Sequence, residues 1–200
     1  MLTRLKKQVQ SLLTKEAKLL HNVGMTPNQI SAIGILFAFM AGCFYWTWRY
    51  NLIFLIIASV FFLLSGFCDA LDGVVARLCG EATVFGGFLD SLLDRYADAF
   101  IFVALLASGL CDVFWGTVSL VGSLLVSYAR ARAEATGAKM ETIGLAERAE
   151  RIIILTTASF ISFFWVDALN YSIIILAILT NLTVLQRTIY FYRISKQKKG

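Results

Sequence analysis

Proline and histidine are nearly missing from this sequence. Pro27 and His21 stand alone, and only 16% of the 200 residues are charged. With one histidine there can be no histidine-based metal set, and His21, at the end of a basic stretch, fits an interfacial position better than a catalytic one. Cysteine is equally uninformative as chemistry. Cys43, Cys68, Cys79 and Cys111 form no CxxC pair and fall in or beside apolar segments, so they read as small buried hydrophobes rather than disulfides or zinc ligands. No internal repeat or low-complexity linker stands out. The first twenty residues are basic and amphipathic and lack a continuous apolar core, so no cleavable signal peptide is expected.

What is present is apolar surface. The chain is 58% hydrophobic with a mean hydropathy of +0.74, more than a soluble domain of this length needs. Long apolar runs recur, for example 30–48, 52–67 and 100–110. The expectation is an all-α polytopic membrane protein, residues 1–200 forming one membrane-embedded domain. An amphipathic interfacial helix over 1–22 would precede a six-helix transmembrane bundle over 27–194. In that first helix Leu2, Leu5, Val9, Leu12, Leu13, Leu19 and Leu20 recur at roughly helical spacing between Arg4, Lys6, Lys7, Lys15 and Lys18, a pattern suited to an anionic membrane surface. Thr26-Pro27 opens the first span, threonine as N-cap and proline at the first helical position. The spans are expected at 27–48, 52–79, 83–108, 113–136, 146–165 and 169–194, with a polar connection near 136–142.

Charge sets the expected orientation. Six spans put both termini on one side together with the turns near Glu81 and Lys139. That side and its helix ends carry every Lys and Arg except Arg49. The positive-inside rule then makes the termini cytoplasmic in an integral plasma-membrane protein. Trp46, Trp48, Tyr50, Trp115 and Trp165 gather at the predicted outer boundary as an aromatic belt, and Tyr190, Phe191 and Tyr192 at the inner one.

Against this background four aspartates are conspicuous: Asp69, Asp72, Asp90 and Asp94. Each costs roughly 2.5–3.5 kcal/mol at a bilayer centre on insertion scales. Such a set needs a cationic partner, and a divalent metal is the candidate. Asp69, Asp72, Gly73, Ala76 and Gly80 share one helix face; Thr83, Gly86 or Gly87, Asp90, Asp94 and Asp98 share a face of the next. In an antiparallel hairpin these faces can oppose, and their oxygen ligands suit magnesium, manganese or calcium rather than zinc. Gly73, Ala76 and Gly86 leave room for a bulky ligand or a close helix approach, and Arg77 offers a forked donor for a phosphate. A polar seam of ion pairs is the structural alternative, but four acids against Arg77 and Arg95 do not balance. A cation transporter is another, weakened by the short chain, the lack of an inverted repeat and the placing of the acids at one membrane face.

The pattern Asp69-x2-Asp72-Gly73-x2-Ala76-Arg77-x8-Gly86-x3-Asp90-x3-Asp94 resembles, position for position, the signature of the CDP-alcohol phosphotransferase family. The surrounding plan of a short amphipathic helix and six spans is similar too, so the resemblance covers nearly the whole chain. It implies transfer of a substituted phosphate from a CDP-linked lipid to an alcohol, with release of CMP. By resemblance Asp69, Asp72, Asp90 and Asp94 hold two divalent cations, Mg2+ in the first place and Mn2+ as the alternative, and Asp94 is also the general base. Gly73, Ala76, Arg77, Thr83 and Gly86 would line the pocket for the CDP-lipid, with Asn28 beside the nucleotide or serving only to cap its helix. The resemblance also implies a homodimer; no nucleic-acid partner is expected. Membrane prenyltransferases use intramembrane aspartates too, but their motifs differ.

The acceptor is read from later helices. Arg130, Arg148 and Arg187 come from three helices whose cytoplasmic ends can converge on the aspartates, and a phosphorylated acceptor would need such cations where free inositol would not. Anchoring by positive residues, with pairing to Glu147 or Glu150, is the alternative for these cations. SYARARAE (127–134), GLAERAER (144–151) and LQR (185–187) resemble the branch of the family that accepts inositol phosphate. There the serine and three cations, here Ser127, Arg130, Arg148 and Arg187, form the acceptor phosphate pocket. Arg130 stands where that branch often has lysine, which keeps the charge but not the geometry. The expected reaction joins CDP-diacylglycerol or CDP-archaeol to myo-inositol phosphate, with glycerol-3-phosphate as the alternative acceptor.

Overall fold

The computed structural model describes residues 13–138, 140 and 143–197; within them every regular element is helical. Helix α1 covers 13–22. Then follow α2 (Pro27–Thr47), a short 3-10 turn (Trp48–Tyr50), α3 (Ile53–Leu78), α4 (Val84–Ala107), α5 (Val113–Glu134), α6 (Arg148–Ser162) and α7 (Ala168–Gln197). The apolar residues Leu2, Leu5, Val9 and Leu12 of the expected interfacial helix, with Arg4, Lys6 and Lys7, lie outside the described residues, as do Lys139 and Thr142. What is described of that helix places Ala17 in full burial, packed with Leu13 and Leu20 against Ile30, Cys68 and Leu71.

Helix starts follow local chemistry. At α2 the Thr26 hydroxyl accepts from the Gln29 amide at 3.4 Å while the Gln29 side chain accepts from the Thr26 amide at 3.0 Å, a reciprocal cap with Pro27 just inside. Thr83 starts α4, its hydroxyl accepting from the Gly86 amide at 2.9 Å. Asp112 starts α5 by accepting from the amides of Phe114 and Trp115. Between α3 and α4 the chain reverses through Gly80 at φ 70°, a conformation other residues adopt only with strain. That reversal makes the antiparallel hairpin on which the aspartates sit.

Among the described residues, four helices are long and apolar enough to cross a membrane: Pro27–Tyr50, Ile53–Leu78, Val113–Glu134 and Ala168–Lys196. The expected third and fifth spans fall short of that measure for separate reasons. Helix α4 carries Asp90, Asp94, Arg95 and Asp98 along its middle. Helix α6 is only 15 residues, starting at Arg148 and ending at Ser162 rather than running from 146 to 165; it spans about 22 Å against a hydrocarbon core of about 30 Å.

Helix α2 packs on both α3 and α4, α3 on α6, and α5 on α7. Tyr45, Leu55, Phe62, Ile101, Leu105, Leu155 and Ile173 meet in the largest core cluster. In lipid, burial of apolar side chains gives helices little reason to associate, so close fit of small residues matters. Gly34 approaches Cys68, where an added Cβ would lie 3.1 Å from the cysteine Cβ; Gly66 similarly admits Ile152, at 2.9 Å. These contacts bring α2, α3 and α6 around the carboxylates.

Candidate active site

The hairpin brings three of the four aspartates together. Asp69, Asp72 and Asp90 each point one carboxylate oxygen to a common region, the three atoms lying within 4.8 Å of one another. Asp72 is almost fully buried and accepts a hydrogen bond from Ser31 Oγ on α2 at 2.5 Å. Three convergent carboxylate oxygens fit a hard divalent cation, because such ions take oxygen ligands and offset the mutual repulsion of the acids.

Asp94 lines the same small cavity as the other three, with Ser31, Gly34 and Ser65, but stands apart from their common point. Its Oδ1 is 2.7 Å from Arg148 Nη1, and its Oδ2 is 3.6 Å from Arg95 Nη1. The same Arg148 nitrogen is 2.5 Å from Asp69 Oδ2. One guanidinium from α6 therefore bridges the two helices of the hairpin. The ion-pair alternative weighed Arg77 and Arg95; the structure keeps Arg95 beside Asp94, adds Arg148 and gives Arg77 no such pair among the described residues. Even so, five carboxylates (Asp69, Asp72, Asp90, Asp94 and Asp98) face three guanidinium groups (Arg95, Arg148 and Arg151), which leaves negative charge in excess.

Two larger cavities open on either side of this cluster. The first is lined by Asn28, Gly73, Ala76, Arg77, Thr83 and Gly86 together with Ser31, Asp72 and Asp90. All six residues nominated for the CDP-lipid thus border one space that ends on the carboxylates. Two of them owe their place to missing side chains. A Cβ on Gly86 would lie 2.9 Å from Thr83 Oγ1 and 3.2 Å from Asn28 Oδ1; a Cβ on Gly73 would lie 3.3 Å from Arg77 Nη1. The capping explanation of Asn28 fails here, since Thr26 and Gln29 cap α2 and the Asn28 side chain turns to Gly86 instead.

The second cavity is lined by Ser127, Arg130, Arg148 and Arg187, with Asp94, Arg95, Asp98, Glu147 and Arg151. Asp94 and Arg148 belong to both this space and the carboxylate cavity. The three cations differ in how free they are. Arg130 is partly exposed and pairs with Glu134 at 2.9 Å. Arg187 is buried: Nε donates to the Ile143 carbonyl at 2.7 Å, Nη1 to the Val126 carbonyl at 2.6 Å and Nη2 to Glu147 at 3.0 Å. It ties α5, the segment before α6 and α7 together, and does so with donors that the spacing argument had left free for a ligand.

Sequence reasoning missed Ser31, which sits one turn after Pro27 with no motif to mark it; its carbonyl-bonded, carboxylate-bonded hydroxyl emerges only when α2 crosses α3. Asp98 was legible as the next residue of the Asp90–Asp94 face, yet gained no role. Its Oδ2 meets Arg151 Nη2 at 2.5 Å and its Oδ1 meets Arg148 Nε at 3.4 Å.

Comparison with known proteins agrees with this geometry. The sequence profile of the CDP-alcohol phosphatidyltransferase family matches residues 24–191. An archaetidylinositol phosphate synthase of Pyrococcus horikoshii is 39% identical over 189 residues, covering 94% of each chain. Two crystal structures of phosphatidylinositol phosphate synthase from Mycobacterium tuberculosis superpose on this fold at 30% identity. The form with manganese and citrate gives a TM-score of 0.77 over 90% of this chain and 88% of that one; the form with CDP-DAG bound gives 0.75 over 91% and 94%. A profile match across most of the chain, with the eight signature positions lining two cavities that share Asp72 and Asp90, makes this protein a member of the CDP-alcohol phosphatidyltransferase family.

Proposed function

We propose that this protein synthesises an inositol-phosphate lipid, moving the phosphatidyl or archaetidyl group of a CDP-linked lipid onto inositol phosphate with release of CMP. One observation carries the reading: the carboxylate cluster lies between a cavity bordered by Asn28, Gly73, Ala76, Arg77, Thr83 and Gly86 and another bordered by Ser127, Arg130, Arg148 and Arg187. A two-substrate transfer needs both partners held against one reacting phosphorus.

In this reading the nucleotide enters on the Gly73–Gly86 side, where the absent side chains let a pyrophosphate approach backbone, and Arg77 offers paired donors to it. Asp69, Asp72, Asp90 and Asp94 would hold two divalent cations, Mg2+ or Mn2+, which when bound neutralise the pyrophosphate and stabilise departing CMP. Ser31 fixes the Asp72 carboxylate. Asp94, shared with the second cavity, accepts the proton of the acceptor hydroxyl as that oxygen bonds to the lipid-bearing phosphorus and the bond to CMP breaks. Arg130 and Arg148 meet the acceptor phosphate, and Arg187 shapes the pocket wall through Val126, Ile143 and Glu147. The relatives named for inositol phosphate support this acceptor over glycerol-3-phosphate.

The same reading takes α4 and α6 as two further spans, shielded by α2 and by α3 and α7, with the carboxylates and both termini at the cytoplasmic face, and a homodimer as the working form. The deciding experiment incubates the purified protein with CDP-diacylglycerol or CDP-archaeol and with inositol phosphate, free inositol or glycerol-3-phosphate. CMP release and a product mass corresponding to inositol-phosphate lipid are expected; product from glycerol-3-phosphate alone overturns the acceptor.

A further inference from the structure

Asp98 lies outside the eight signature positions, one turn past Asp94 on α4. It is 6% exposed, and both of its oxygens are taken by guanidinium groups from α6. Arg151, 3% exposed, donates to Oδ2 and to the carbonyl of Ala146. Arg148 brings its Nε to Oδ1. The far end of that same Arg148 reaches Asp69 and Asp94. Arg148 thus has two kinds of counter-ion. Asp69 and Asp94 are carboxylates that divalent cations would claim; Asp98 is not among the three whose oxygens converge and meets Arg148 and Arg151 instead. A guanidinium and a metal ion compete for the same oxygens, and a buried guanidinium deprived of one acid turns to whichever acid remains.

We propose that Asp98 is a positioning residue that gives Arg148 a counter-ion other than the metal ligands, so that Asp69 and Asp94 are released to divalent cations while the guanidinium turns its free N–H groups to the acceptor phosphate. The acceptor half of this statement rests on the function proposed above; the metal half does not. Without the Asp98 charge, Arg148 is left to the metal-binding acids it already touches, Asp69 and Asp94, and acts as a tethered competitor of the ion. Arg151 has the opposite effect, because it draws on the same carboxylate that restrains Arg148.

The test measures Mn2+ binding to the full-length protein in detergent, with no substrate present, for the wild type, Asp98→Asn, Arg148→Gln, the double variant and Arg151→Gln. Asp98→Asn is expected to weaken Mn2+ binding about tenfold, the lower end of what outer partners of metal ligands contribute. In the Arg148→Gln background the same substitution should leave Mn2+ affinity unchanged, a coupling that a merely structural pin between α4 and α6 would not produce. Asp98→Glu, which keeps the charge, should recover most of the loss. With both substrates added, Asp98→Asn should raise KM for inositol phosphate more than KM for the CDP-lipid. Wild-type Mn2+ affinity in Asp98→Asn, or an equal loss with and without Arg148, overturns the proposal. If Asp98→Asn does not fold, Arg151→Gln decides: Mn2+ binding as tight as wild type or tighter supports the proposal, and weaker binding overturns it. A wild type that binds Mn2+ yet makes no lipid from inositol phosphate would overturn the acceptor and leave the metal half standing.

Discussion

Asp94 stands at the junction of the carboxylate cavity and the cavity bordered by Ser127, Arg130 and Arg187, where a proton acceptor would serve an incoming hydroxyl. Asp94→Asn keeps the shape and removes the basicity. Turnover should fall about 10²- to 10⁴-fold, the usual contribution of a positioned base, while CDP-lipid binding persists; CMP release and equilibrium binding of the donor measure the two separately. Near-normal turnover would remove the base assignment. Ser31→Ala tests a residue that no motif announces. It deletes a hydrogen bond to the buried Asp72 carboxylate, a contact to a charged group that contributes about 1.5–3 kcal/mol. The Mg2+ concentration for half-maximal activity should rise, and Asp72→Asn should raise it further. Arg187→Ala should act on folding as well as on the acceptor. It removes the donor to the Val126 and Ile143 carbonyls and leaves Glu147 to solvent, and a buried acceptor left without its donor costs about 1–3 kcal/mol. A fall in melting temperature in detergent, alongside a raised KM for inositol phosphate, is the expected combination; a raised KM at unchanged stability would show that Arg187 serves the ligand alone.

At the scale of elements, the pairing of α5 with α7 depends on a glycine. A Cβ on Gly122 would collide with Thr180 Oγ1 and lie 2.9 Å from Asn181 Nδ2. Thr180 is fully buried and its hydroxyl is already bonded to the Leu176 carbonyl at 2.7 Å, so the helices must part. Gly122→Leu should cost about 1–3 kcal/mol, the range for overpacking, and thermal unfolding in detergent would show it. Gly87→Ala on α4 is the control. Nothing lies within 4 Å of its added Cβ, and the gain in helix propensity is at most about 1 kcal/mol. Destabilisation of Gly87→Ala as large as that of Gly122→Leu would mean that the contact between α5 and α7 is not what the Gly122 substitution breaks.

At the scale of the whole molecule, a bundle with its acids at one end and its apolar belt elsewhere predicts both metal dependence and sidedness. Chelation by EDTA should abolish CMP release, and Mg2+ or Mn2+ should restore it. A reporter fused to the C-terminus should read cytoplasmic; a reading on the other side would break the six-span arrangement. That count includes α4 and α6, whose membership is argued from their packing, because the charge on one and the length of the other hide them from hydropathy.

The sequence determined the helical class, the boundaries of most helices to within a few residues, and the two aspartate faces. Each of these follows from periodicity, capping residues and charge spacing, which act over one or two turns of chain. It also carried the six residues bordering the Gly73–Gly86 cavity, since all but Asn28 lie on the α3–α4 hairpin or its turn, where the reversal at Gly80 brings the two segments to one space. Contacts between distant helices were left to the tertiary structure. It decided that Ser31 meets Asp72, that Arg148 spans from Asp98 to Asp69, and that Arg187 spends its donors on backbone. A guanidinium reaches whichever acids the packing places within a few ångströms, and the packing of α2 and α6 against α3 is set by the fit of small residues such as Gly34 and Gly66 rather than by any local pattern.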